Sequence, residues 1–211
     1  PLFFLKIPLL MVRDRDNKIR VFQNTCRHRG MILIKEKSNV RGTIRCPYHS
    51  WCYDLDGTLR STPHVGGPGN NVHRDIKRNE LGLHEIKSYD WHGIIFINFL
   101  GNEPEFEKKY ADLMIRWKDF NQDLFHSGKD SSIKLKLNCN WKLAVENYCE
   151  SYHLPWIHPG LNSYSKLEDH YNIENKGKYS GQGSKVYSQL KKNSDKFSDF
   201  NNLSRKWMSG A

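Results

Sequence analysis

Cys26-Arg27-His28-Arg29-Gly30 and Cys46-Pro47-Tyr48-His49-Ser50-Trp51 are the two stretches on which the reading of this chain turns. Each pairs a thiol with an imidazole, as C-x-H in the first and C-x2-H in the second, and seventeen residues separate the pairs. Each follows a short apolar run that reads as a strand, so both pairs fall on loops. Two thiolates and two imidazoles could hold one tetrahedral zinc ion. Zinc fingers, however, repeat like ligands, Cys with Cys and His with His, at other spacings. The alternative is a division of the four donors between two irons, with two sulfurs on one and two imidazoles on the other.

Outward from these loops the chain reads as short strands with turn punctuation. Leu9 to Val12 is apolar, Arg13-Asp14-Arg15-Asp16-Asn17 is a polar turn, and Ile19 to Phe22 is the next strand. Trp51 to Leu59 predicts a hairpin around Asp56-Gly57. Thr62 to Asn71 is a loop rich in Gly, Pro and Asn, and Leu81 to Ser88 with Gly93 to Leu100 predicts another pair of strands. The continuous apolar run Ile94-Ile95-Phe96-Ile97 predicts burial on both faces. The first hundred or so residues are therefore all-β, with no room for a doubly wound α/β domain.

The pattern then changes. Asn102-Glu103-Pro104 opens a predicted helix to about Phe120, with Phe106, Tyr110, Leu113 and Trp117 three or four apart. Gln122 to Ser132 reads as a polar linker, and Ile133, Leu135 and Leu137 alternate with polar residues as in a half-exposed strand. Asn140 can cap a helix carrying Trp141, Ala144, Val145, Tyr148 and Tyr152 on one face, which Pro155 interrupts. Beyond Tyr171 the chain is rich in Lys, Ser, Asn and Gly, and no fold is predicted there. The expected division is 1–102, a linking segment over 103–130, and the start of a second domain over 131–211.

That second helix carries a second constellation: Glu146, Asn147, Glu150 and His153, with His158 beyond Leu154-Pro155-Trp156-Ile157. Residues 150 and 153 would share a helix face. Two His with one carboxylate and open positions is the ligand set of non-haem Fe(II) oxygenases, and Glu146 is the nearest candidate for the third ligand.

Read together, the Cys26–Gly30 and Cys46–Trp51 stretches followed by Tyr53-Asp54-Leu55-Asp56-Gly57 resemble the Rieske domain of Rieske non-haem iron oxygenases, the large (alpha) subunits of the aromatic-ring-hydroxylating dioxygenase superfamily. Asn140-Trp141-Lys142, Glu146 to His153 and His158-Pro159 resemble the start of the catalytic domain in the same family. The resemblance implies an α+β chain: an all-β Rieske iron–sulfur domain followed by the N-terminal part of a helix-grip catalytic domain. It implies a [2Fe-2S] cluster on Cys26, His28, Cys46 and His49, and mononuclear Fe(II) on His153 and His158, with a third ligand beyond residue 211. Glu150 corresponds to the bridge that carries electrons from His49 of one subunit to the iron-bound His153 of the next, and Asn147 is a further catalytic candidate. Activation of O2 to hydroxylate or demethylate a small organic substrate would follow. Electrons would come from NAD(P)H through a reductase or ferredoxin, in a homotrimer or larger assembly. The bridge is most often Asp, and a Glu-x-Tyr-His variant occurs in the branch acting on quaternary amines. The cysteine pair that braces these loops in respiratory-chain Rieske proteins is absent, since Met31 follows Gly30. Two rival readings stay open: a Rieske-type ferredoxin electron carrier and a zinc-binding structural module.

Composition narrows the classes further. The 211 residues carry 33 Lys and Arg against 23 Asp and Glu, a net charge of +10. No aromatic-interleaved basic stripe accompanies that charge, so a solvated surface is expected rather than nucleic-acid binding. No stretch approaches the ~18 apolar residues of a membrane span. The five cysteines, Cys26, Cys46, Cys52, Cys139 and Cys149, are odd in number and scattered, unlike a disulfide-stapled secreted module. Cys52, Cys139 and Cys149 are expected to pack as small apolar residues. The start, Pro1-Leu2-Phe3-Phe4-Leu5, has neither a signal-peptide pattern nor an initiator Met. A reducing, cytoplasmic setting and a fragment of a longer chain are the expectations.

Overall fold

The computed structural model describes residues 1–118, 133–163 and 165–185, and the chain divides into two compact units, Pro1–Glu103 and Pro104–Ala211. In the first unit the strands are β1 (Leu2–Phe4), β2 (Ile7–Arg13), β3 (Ile19–Gln23), β4 (Thr43–Arg45), β5 (Cys52–Asp54), β6 (Leu59–Ser61), β7 (Glu85–Trp91) and β8 (Ile94–Asn98). They form an antiparallel sheet in the order β1-β2-β3-β7-β8 and a smaller one in the order β4-β5-β6.

Period-two alternation puts Leu10, Val12 and Phe22 into the main core with Ile44, Tyr53 and Leu59 of the smaller sheet. Leu9, Val21 and Ile86 form a second cluster. The strands buried on both faces are thus β2 and β3, where Leu9 with Leu10 and Val21 with Phe22 are all buried. β8, for which the sequence predicts that role, is the outer strand of its sheet. Ile95 and Ile97 pack on the second cluster, whereas Ile94 and Phe96 are 60% and 38% exposed. A continuous apolar run does not say whether a strand is central or outermost.

The smaller sheet turns at Asp56-Gly57. Thr58 N–H donates to the Asp56 carboxylate at 2.9 Å, and Gly57 holds φ +90. A Cβ at Gly57 would sit 2.6 Å from Cε1 of Phe22. The β2–β3 turn is tied differently. Asp14 accepts from the Asp16 and Lys18 backbone at 3.0 and 2.9 Å. Its other oxygen takes the Arg20 Nε–H at 2.9 Å, and Arg20 also reaches Glu85 on β7 at 3.1 Å. The Arg20 hydrogen bond, first, holds the Asp14 carboxyl below the usual carboxylate range.

The second unit holds α1 (Phe106–Lys109), α2 (Ala111–Arg116), α3 (Trp141–Cys149), α4 (Leu154–Ile157), α5 (Pro159–Asn162) and the hairpin of β9 (His170–Asn175) with β10 (Tyr179–Ser184). The single helix expected to Phe120 is instead two short ones, broken where Tyr110 leaves helical geometry at φ −114; its end past residue 118 and the linker over Gln122 to Ser132 lie outside the described residues. The alternating Ile133, Leu135 and Leu137 stay exposed and join no ladder among the described residues. Alternation is a pattern for a sheet, and a strand needs a partner. The β9–β10 hairpin was not predicted; its turn is carried by Gly177 at φ +72. Among the described residues no helix is long and apolar enough to cross a membrane.

Two outcomes test these packing arguments. Gly57→Ala strains a left-handed position and drives a methyl into Phe22, so denaturant unfolding should show a loss of about 2–4 kcal/mol. Asp14→Asn should lower Tm at neutral pH. A carboxyl whose folded pKa lies below its unfolded one stabilises above the unfolded pKa and ceases to as pH falls through the folded one. The gap between Asp14→Asn and the parent should therefore close below about pH 4.

Candidate metal centres

Both Cys-His loops close in the same way. In the first, Cys26 N–H donates to Met31 O at 2.8 Å and Gly30 N–H to Cys26 O at 2.9 Å. In the second, Cys46 N–H donates to Trp51 O at 2.8 Å and Ser50 N–H to Cys46 O at 3.1 Å. Each closure turns on a left-handed residue four past the cysteine, Gly30 at φ +71 and Ser50 at φ +58. The loops therefore present the same order of groups, a buried sulfur at the base and an imidazole toward the tip. Cys26 and Cys46 are both buried, while His28 is exposed and His49 half-buried. The two imidazoles meet edge to face with ring centroids 4.7 Å apart.

Three residues around the loops take roles that motif spacing does not show. Tyr53, on β5 and fully buried, has its hydroxyl 3.2 Å from Cys26 Sγ and accepts the Arg27 N–H at 3.0 Å. Trp51 is buried and stacks on His28, with ring centroids 4.8 Å apart and planes 8° apart. Asn24 clamps the ends of the first loop with its amide: it donates to Ile34 O at 2.7 Å and accepts from Ile34 N–H at 3.1 Å. For Tyr53 and Asn24 a signal existed, because a buried phenol or amide must find polar partners. Arg27, between the first pair, contacts His84.

Burial, above all, pushes the Cys26 thiol up, the nearby Cys46 sulfur adding to it and the Tyr53 hydroxyl opposing it. Partial desolvation by its neighbours, then the charges of His49 and Arg29, lower His28, which favours the neutral imidazole that metals bind. Among the described residues no three His, Cys, Asp or Glu side chains converge as ligands of one metal ion. Two buried sulfurs beside two outward, adjacent imidazoles suit a cluster that takes two protein ligands per iron.

The second constellation is built on a helix end. Asn140 caps α3 by accepting Lys142 N–H at 3.0 Å. The helix stops at Cys149, and Glu150 is extended at φ −112, ψ 154. The expected interruption by Pro155 comes too late: Pro155 lies in the first turn of α4, where its missing N–H costs nothing. Glu150 and His153 thus share no helix face. Instead the Glu150 carboxylate folds over the following turn, accepting His153 N–H at 3.3 Å and meeting His153 Nδ1. That imidazole, first, holds the Glu150 carboxyl below its ordinary range. His153 and His158 flank α4 with ring centroids 5.3 Å apart. Glu146 is exposed on α3 and completes no three-ligand group. Asn147 is exposed beside it, and among the described residues no side-chain hydrogen bond joins it to either His. Trp141, Tyr148 and Tyr152 are 71%, 83% and 76% exposed rather than packed in a core. Cys52 is buried as expected, Cys149 half-buried and Cys139 exposed.

Ser50 carries a side chain in a conformation that suits glycine. Ser50→Gly should leave the loop intact and stabilise the protein by up to about 1 kcal/mol in thermal unfolding; a loss of stability would show that the Ser50 side chain supports the loop.

The Rieske [2Fe-2S] domain family matches residues 2–89, and the ring hydroxylating alpha subunit (catalytic domain) family matches residues 125–206. The glycine betaine monooxygenase oxygenase subunit of Pseudomonas aeruginosa is 33% identical over 157 residues, covering 74% of this chain and 34% of that protein. The carnitine monooxygenase oxygenase subunit of Escherichia coli (strain K12) is 28% identical over 164 residues, 78% of this chain and 42% of that one. This chain thus spans between a third and a half of the length of these relatives. A solved quaternary ammonium Rieske monooxygenase shares the fold, with a TM-score of 0.60 at 24% identity over 84% of this chain and 47% of that one. The first constellation thus lies within a matched Rieske domain and the second within a matched ring hydroxylating alpha subunit catalytic domain, and the chain is similar to the large subunits of Rieske oxygenases.

Proposed function

We propose that this chain is the electron-receiving part of a Rieske oxygenase, together with the segment that begins its oxygen-activating site. Cys26 and Cys46 would hold one iron of the [2Fe-2S] cluster, and His28 and His49 the other. His153 and His158 would hold the mononuclear Fe(II). When bound, these groups supply single-electron storage and O2 activation. The observation that carries the reading is the matched closure of the two loops, which leaves two sulfurs buried and two imidazoles adjacent.

The chain's own residues have separable tasks. Asn24 and the two backbone closures keep the sulfurs in place. The Tyr53 hydroxyl offers a hydrogen bond to Cys26, and Trp51 fixes the ring plane of His28. Glu150 orients the His153 imidazole through Nδ1, leaving Nε2 for a metal. We assign the electron path to His49, Glu150 and His153 across a subunit boundary, in a homotrimer or larger assembly served by a reductase or ferredoxin. Inter-subunit electron transfer belongs to the quaternary ammonium Rieske monooxygenase that shares this fold. The similarity to betaine and carnitine monooxygenases and the Glu at position 150 favour a small quaternary ammonium substrate, hydroxylated or demethylated. A ferredoxin-like carrier would leave the Glu150–His153–His158 arrangement without a task.

Four measurements on the full-length protein test this. Iron content should be three per chain, against two for a carrier, and glycine betaine or carnitine should be consumed in preference to an aromatic hydrocarbon. Glu150→Gln should keep both metals yet cut reductase-driven turnover by about a hundredfold; normal turnover with both metals bound would remove the bridge. Tyr53→Phe withdraws a hydrogen bond from a sulfur that gains charge on reduction. Its midpoint potential should fall by roughly 60 mV, the one-electron equivalent of a tenfold change, with the electron paramagnetic resonance signal retained.

A further inference from the structure

A directed chain of polar side chains runs through the second unit to the end of α3. Gln182, on β10, places its Nε2 3.1 Å from the Tyr148 carbonyl and 3.4 Å from the Glu150 carbonyl. Its Oε1 lies 3.2 Å from His170 Nδ1, and His170 Nε2 lies 2.8 Å from Ser165 Oγ. Ser165 is 1% exposed. Carbonyls only accept, so the amide must turn its NH2 toward α3 and its oxygen toward His170. His170 then donates from Nδ1, and the neutral ring accepts at Nε2 a hydrogen bond from the Ser165 hydroxyl. Every group in the chain has one assignable role, and the chain ends on carbonyls that the α3 terminus leaves without helical partners.

We propose that Gln182, oriented by His170 and Ser165, is a positioning residue for the Glu150–His153 pair. It holds the backbone on both sides of Cys149, from which the Glu150 carboxylate reaches over to His153. The inference rests on the assignment of Glu150 as electron bridge and adds the device that aims it. Without that hold, the hydrogen bond left to the Glu150 backbone among the described residues is its N–H to Glu146 O at 3.1 Å, and the carboxylate gains freedom to turn from the imidazole.

The test uses the full-length protein with both metals loaded. Gln182→Glu is isosteric and keeps an acceptor for His170 while removing the donor to α3; Gln182→Leu removes both. Hydrogen exchange at the Glu150 and His153 amides should quicken about fivefold in both variants, the equivalent of one lost hydrogen bond. Reoxidation of the reduced cluster by O2 and substrate in a single turnover should slow about tenfold, with cluster spectrum and iron content unchanged. Ser165→Ala, at the far end of the chain, should show a smaller change in the same direction. Parental exchange and electron-transfer rates in Gln182→Glu, alongside a slow Glu150→Gln, would overturn the positioning role and leave the bridge standing. A Glu150→Gln variant that transfers electrons normally would instead overturn the bridge, while the exchange data would still report whether Gln182 holds α3.

Discussion

Two backbone closures, Cys26 with Gly30 and Met31, and Cys46 with Ser50 and Trp51, constrain everything near the first constellation. They turn each sulfur into the core that Phe22, Ile44, Tyr53 and Leu59 build, and each imidazole outward. A thiolate in such a place is unfavourable by itself, and burial accordingly pushes Cys26 up. A cluster bound there would take the place of the thiol proton and supply what the core withholds, so its loading would be coupled to the order of these loops.

The two units solve the problem of holding a histidine in different ways. In the first, the imidazoles ride on closed loops between strands, and stacking of Trp51 on His28 sets a ring plane. In the second, the fold supplies a helix end, an extended residue and a short turn, and a carboxylate sets the ring of His153. The first device rests on loops flanked by paired strands and on an amide clamp. The second depends on where a helix stops.

That difference explains what could be read from the sequence. In the first unit the candidate ligands stand out in the sequence by their C-x-H and C-x2-H spacing. The strands β2, β3, β5 and β6 follow from alternation and from Asp56-Gly57. Position within the sheet does not: Ile94 to Ile97 look more buried than Leu9 and Leu10 until strand order is known. In the second unit, helical periodicity continues past the true end of α3, since Tyr148 and Tyr152 are four apart whether or not the backbone between them is helical. Asn147 and Glu146 attract notice from their place beside the motif, yet neither joins the His pair. Tyr53, Asn24 and Gln182 act through hydrogen bonds to residues distant in sequence; the need of a buried polar group for partners is legible, but which partners it finds is not.

The presence of Glu rather than Asp at position 150 makes the helix end matter more. One further methylene gives the carboxylate another rotor, and ordering a side chain of that kind costs roughly 0.5–1.5 kcal/mol. A shorter carboxylate would be aimed largely by its own backbone. Here Glu150 meets the cost by engaging both oxygens on a single turn, one on the His153 N–H and one on Nδ1. That double contact is productive only if the backbone at 150 stays extended while the three residues after it turn. The amide of Gln182 grips the carbonyls at Tyr148 and Glu150 where this change of direction occurs. The longer side chain and the cross-strand amide are therefore parts of one solution, in which added reach at the carboxylate is offset by added restraint on the chain that carries it.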